Sequence, residues 1–232
     1  MTTIASNLQA VRDAIAAVVA ETGRVANDVI LLAVSKTFAS GAIREAYQAG
    51  QTRFAESYVQ EALHKIATLR DLPVEWHYIG PIQSNKTRAI AEYFAWVHSV
   101  DRLKIAERLS EQRPVHLPPL QICLQVNISG EGSKSGVSPD EVSALADAVV
   151  RLPHLRLRGL MTVPAPSDGI AAQRASFALL REMREQLNRR GLQLDTLSMG
   201  MSHDFAAAIA EGATMVRVGT AIFGTRHYGE KQ

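Results

Sequence analysis

Eight short apolar runs alternate with helix-like segments along the chain, and this alternation restricts the available folds more than any other property of the sequence. The runs are VILLAVSK (29–36), TRFAES (52–57), EWHYIG (75–80), AWVHSV (95–100), LQICLQVN (120–127), LRLRGLM (155–161), TLSMGMS (196–202) and TMVRVGTAIFG (214–224). Strands separated by helices run parallel, because each crossover returns the chain to the same end of the sheet. Eight of them select a closed TIM-type (β/α)8 barrel, class α/β, over an open sheet. A length of 232 residues suits one such barrel, so residues 1–232 are expected to form a single domain. Ahead of the first strand, Ile4, Leu8, Val11, Ile15 and Val18 form one helical stripe ending at Gly23. After Gly224 too few residues remain for a full last helix, so the N-terminal helix is expected to complete the outer ring.

Local signals set the expected helix ends. Ser40 starts a helix closed by Gly50, Ser57 and Gln60 make a capping box, and Asp101 caps the helix that follows the fourth strand. Ser138, Pro139 and Glu141 supply a cap, a first-turn proline and a capping carboxylate. Charge excludes other roles: 25 Lys and Arg against 23 Asp and Glu, with no block of one sign, give no case for nucleic acid or an anionic membrane as partner. Cys123 stands alone inside an apolar run and reads as a buried hydrophobe with no intrachain disulfide. The seven histidines lack H-x-x-x-H spacing, so no metal site is expected. No stretch approaches a membrane span and the first twenty residues are amphipathic, unlike a cleaved signal. A reducing cytoplasm and a monomer are the expected setting.

The chemistry concentrates at strand ends, where barrels of this type carry their sites. Val29 to Val34 are all apolar, and Lys36 lies where that strand opens. Partial desolvation there disfavours the ammonium form and suits a Schiff-base nucleophile; the alternative is a lysine that only reaches solvent. At the ends of strands seven and eight, Gly200, Ser202, Gly219 and Thr220 are either an oxyanion cup, with Ser202 opening a helix, or tight turns with an ordinary cap. Strand alternation turns Met215, Arg217 and Gly219 into the barrel. A buried guanidinium requires a partner, either Glu56 across the barrel or an acceptor on a bound ligand. Taken together, amine, cup and cation describe three handles for pyridoxal phosphate: aldehyde, phosphate and ring nitrogen.

Long motifs in fixed order carry a resemblance over nearly the whole chain: LLAVSKT, ESYVQEA, WHYIGPIQSNK, VNISGEGSKSG, LRGLMTVPAP, LSMGMSHD and VRVGTAIFG. The sequence resembles the YggS-type pyridoxal-phosphate homeostasis proteins, whose barrel is shared with the N-terminal domain of alanine racemase. That resemblance implies pyridoxal 5′-phosphate bound covalently as a Schiff base on Lys36. It also implies Arg217 at the pyridine nitrogen, and Ser202, Gly219 and Thr220 at the phosphate. Three positions depart from the family pattern: Ala55-Glu56-Ser57 stands for Gly-Glu-Asn, leaving Ser57 as no more than a helix cap, His203 replaces an acidic residue, and Phe38 replaces a basic one. His77 and Asn85 lie in a family motif and are either pocket-lining or satisfied hydrogen-bonders. Lys134, in the glycine-rich loop, is either a second amine that accepts cofactor or a solvated lysine.

Arg217 also bears on turnover. Arginine holds its own proton and cannot keep the ring nitrogen protonated, so a ring beside it is a weak electron sink. Alanine racemase compensates with acid–base groups that include a tyrosine from a second domain, and this chain ends where that domain would begin. The expectation is therefore a binding protein without catalytic residues, which buffers the cofactor or delivers it to apo-enzymes. The alternatives are an amino-acid racemase drawing its acid from Tyr58, Tyr78 or a partner subunit, and a cofactor-free Schiff-base aldolase.

Overall fold

In the computed structural model, residues 3–25, 27–131, 135–165 and 169–225 are described. The opening amphipathic stripe forms α1 (Ile4–Glu21), capped by Thr3, whose hydroxyl accepts from the Ser6 amide at 3.1 Å. Its buried face is Leu8, Val11, Ile15 and Val19. Val19 takes the place expected of Val18, since four residues after Ile15 the helix has returned to the same face. The chain then alternates β1 (Ile30–Val34), α2 (Ser40–Gln48), β2 (Arg53–Glu56), α3 (Val59–Thr68), β3 (Glu75–Tyr78), α4 (Thr87–Tyr93) and β4 (Trp96–Val100). It continues with α5 (Leu103–Gln112), β5 (Leu120–Gln125), α6 (Val142–Val149), β6 (Leu155–Met161), α7 (Ile170–Arg189), β7 (Thr196–Ser198), α8 (Phe205–Ala210), β8 (Met215–Val218) and α9 (Thr220–Phe223).

The eight strands pair in chain order as a closed parallel barrel, as the alternation requires. β8 returns to β1 with Ile30 opposite Met215 and Ala33 opposite Val218. Inside lie Leu32, Val34, Ala55, Trp96, Cys123, Met161 and Met215, whereas Phe54, Val97, Ile122 and Val216 belong to the larger core between sheet and helices. Cys123 is fully buried, and burial pushes its thiol up to about 12. α1 packs against α2, α8 and α9, and Asn7 Nδ2 donates to Ile222 O at 3.0 Å, so α1 closes the ring where α9 is only one turn long.

Several ends differ from the sequence reading. The segment 214–224 divides at Gly219 into β8 and α9, because Ile222 turns back toward α1 rather than continuing along the sheet. The caps of α2, α3 and α5 are Ala39, Tyr58 and Arg102, none with a side-chain capping bond. Ser57 is not a helix cap: Tyr58 takes that position, and the Ser57 carbonyl packs so closely on Gly80 that an added Cβ there would sit 2.1 Å away. Asp101 pairs instead with Arg102 at 2.6 Å. Ser138 and Pro139 do begin a 3₁₀ turn before α6, and the Ser138 hydroxyl donates to Glu141 Oε2. Among the described residues no helix is long and apolar enough to cross a membrane.

Candidate functional site

The carboxyl ends of β1, β7 and β8 surround a cavity of about 170 Å³ that Lys36, Ser202, Arg217, Gly219 and Thr220 all line. The five residues singled out from the sequence thus meet at one place. Ser57, Ile79, Val163 and His203 complete much of the wall.

Lys36 lies two residues beyond the end of β1 and is half-buried. Its neighbours are held by a buried ionic clamp that sequence reasoning missed. Lys65 Nζ, from α3, donates to Ser35 O at 2.7 Å and to Glu56 Oε1 at 2.7 Å, and also to Glu61 Oε1. The Ser35 hydroxyl donates to Glu56 Oε1 at 2.6 Å, and the Thr37 amide donates to Glu61 Oε1 at 2.6 Å. Thr37 has φ 71°, a left-handed conformation costly for a β-branched residue, which the clamp holds in place. Both charges of the central pair are buried, Lys65 at 3% and Glu56 at 0% exposure. Burial raises the Glu56 carboxyl above its ordinary value, and the Lys65 ammonium opposes the rise.

Arg217 points inward from β8, as alternation requires, and is 4% exposed. It donates to Ser198 Oγ at 2.8 Å and to Thr162 O at 2.8 Å. The structural partner expected for it, Glu56, lies on the outer face of β2 with Lys65, so that pairing is corrected: the protein-side acceptors are a hydroxyl and a carbonyl. Burial lowers the guanidinium to about 10, so it stays charged near neutrality.

Small residues shape the rest of the wall. A Cβ on Gly219 would stand 3.1 Å from Val34 O, so glycine lets β8 close on β1 beside the lysine. Gly200 adopts φ 92°, and a Cβ there would approach that of Ala208 to 2.6 Å. This turn brings Met201, Ser202 and His203 to the cavity, and Asp204 Oδ1 accepts from the Met201 amide at 2.6 Å. Ser202 lies in that turn rather than at a helix start, because α8 begins at Phe205 with Asp204 as its cap.

Other sequence candidates fall elsewhere. His77 is fully buried inside the barrel away from the cavity wall, and Asn85 is exposed in a 3₁₀ turn. Tyr58 is 51% exposed, and the buried Tyr78 donates to Ser57 O and Pro81 O at 3.2 and 3.1 Å. Neither tyrosine lines the cavity, and burial pushes the Tyr78 phenol up to about 12. Phe38 lies tilted against Phe223, with ring centres 5.1 Å apart. Lys134 lies outside the described residues. Among the described residues no group of three or more His, Cys, Asp and Glu is arranged to hold a metal.

An amine, a donor-only cation and hydroxyl-bearing turns packed around Gly219 suit a small anionic aldehyde with a ring acceptor, which fits pyridoxal phosphate. The sequence profile of the alanine racemase N-terminal domain matches residues 6–227. The pyridoxal phosphate homeostasis protein of Pseudomonas aeruginosa is 62% identical over 229 residues, covering 99% of this chain and 98% of its own. That of Escherichia coli K12 is 52% identical over 237 residues, covering all of both chains. PipY of Synechococcus elongatus, solved with PLP bound, superposes with a TM-score of 0.84 at 39% identity, covering 96% of this chain and 100% of its own.

Proposed function

The chain belongs to the family of pyridoxal phosphate homeostasis proteins, built on the alanine racemase N-terminal barrel, and from that premise we propose that it holds pyridoxal 5′-phosphate on Lys36. The observation that carries this reading is the convergence of Lys36, Ser202, Arg217, Gly219 and Thr220 on one cavity. In the proposed arrangement the Lys36 amine condenses with the aldehyde, losing water. Ser202, Gly219 and Thr220 receive the phosphate, and Arg217 donates to the ring nitrogen. When bound, the cofactor supplies a reactive aldehyde and a conjugated ring.

The rest of the site favours holding over turnover. A charged Arg217 beside the ring nitrogen leaves that nitrogen an acceptor, which weakens the electron sink that carbanion chemistry needs. Neither Tyr58 nor Tyr78 reaches the cavity to serve as an acid. The proposed role is buffering of the free aldehyde or its delivery to apo-enzymes, by a monomeric single-domain barrel in the cytoplasm. Visible absorption tests it: pyridoxal phosphate added to stripped protein is expected to give a coloured species that Lys36→Ala does not form. Incubation of the loaded protein with L-alanine is expected to leave its chirality unchanged. Racemisation at enzymatic rates would overturn the holding role, and a colourless mixture would overturn the attachment.

A further inference from the structure

A hydrogen-bonded chain of side chains crosses the barrel interior from its amino-terminal mouth to Arg217. Glu75, the first residue of β3, is 2.9 Å by Oε1 from His77 Nε2. His77 Nδ1 is 2.9 Å from His98 Nε2, and His98 Nδ1 is 2.8 Å from Ser198 Oγ. Ser198 Oγ accepts from Arg217 at 2.8 Å. Both histidines are fully buried, and His77 stacks on Trp96 with ring centres 5.5 Å apart. The Glu75 end opens on a cavity of about 610 Å³ at the far end of the barrel, where Glu75 Oε1 also accepts from Arg53 Nε at 3.0 Å.

With both imidazoles neutral, donor and acceptor capacity fixes the direction of every link. A carboxylate only accepts, so His77 Nε2 carries a proton; in the neutral ring Nδ1 then accepts, which requires His98 Nε2 to donate. His98 Nδ1 must in turn accept from the Ser198 hydroxyl, which leaves Ser198 lone pairs for the donor-only guanidinium. One arrangement satisfies all four links, with each group donating toward Glu75. Burial disfavours the charged form of both imidazoles, consistent with neutral rings.

We propose that Glu75, His77, His98 and Ser198 are positioning residues for Arg217, forming a one-way relay through which a carboxylate at the opposite mouth orients and electrostatically supports the cation of the cofactor cavity. The link from Arg217 to the cofactor rests on the functional reading above; the relay itself does not. Aligned hydrogen bonds polarise one another in a low-dielectric interior, so loss of either end is felt at the other.

Nitrogen NMR of imidazole-labelled protein without cofactor tests the relay directly. The expected result is a neutral Nε2–H tautomer for both His77 and His98, and an imidazolium or an Nδ1–H tautomer at either one overturns the proposal. Glu75→Leu and Ser198→Ala cut the chain at its two ends. Each is expected to alter the His98 tautomer balance, shift the visible band of the loaded protein and weaken retention of pyridoxal phosphate by about tenfold. Unchanged tautomers together with an unchanged band in both variants would overturn the relay. If a variant fails to fold, the wild-type tautomers decide alone. If the wild-type protein takes up no pyridoxal phosphate, the functional reading fails while the tautomers still judge the relay.

Discussion

The setting of Lys36 is made by residues that never touch the cavity. Lys65 holds Glu56, Glu61 and the Ser35 carbonyl around the strand end, so the Lys36 side chain leaves a fixed backbone. Removing the ammonium while Glu56 stays buried leaves an uncompensated charge, and Lys65→Met is expected to cost about 3–5 kcal/mol in urea unfolding. The double variant Lys65→Met, Glu56→Leu is expected to recover much of that loss, and equal midpoints for wild type and Lys65→Met would refute the clamp. Lys36 and Arg217 were legible in the sequence because period-two alternation and the strand-end position assign them without knowledge of neighbours. Lys65 was not, since its spacing from Glu61 reads as a solvent-facing i,i+4 pair. Only the packing of α3 on β2 makes it a core residue. The partner of Arg217 was missed for a related reason: alternation says which way a side chain points, not which atoms wait there.

The eight strands followed from their apolar runs and the helices from their stripes, because each element must bury one face or both. Element ends were harder to read. The capping signals at Ser40, Ser57 and Asp101 compete with tertiary contacts, and the close approach of Ser57 to Gly80 shows one such contact prevailing. The turn after β7 depends on Gly200, which combines φ 92° with a steric limit set by Ala208. Gly200→Ala is therefore expected to destabilise the protein by about 2–4 kcal/mol, from backbone strain and overpacking together. A urea midpoint equal to that of wild type would show that the turn relaxes freely.

Across the whole molecule, buried ionisable groups set how stability responds to pH. His77 and His98 are held below the ordinary imidazole value by burial, so the unfolded chain binds more protons than the native one once pH falls below about 6.5. Stability is then lost as pH falls. Glu56 works in the opposite direction, since its raised value lets the native state keep a proton more readily. The two buried histidines outweigh the one carboxyl, so unfolding free energy is expected to fall between pH 7 and 5.5. A rise over that interval would show that burial of the neutral imidazoles does not govern the response. The central proposal is that the barrel presents one amine, that of Lys36, to one cofactor. Borohydride reduction of the protein loaded with pyridoxal phosphate, followed by peptide mass mapping, tests this most directly: a pyridoxyl adduct on the peptide containing Lys36, absent in Lys36→Ala, is the expected result. An adduct confined to other lysines, or none at all, would contradict it.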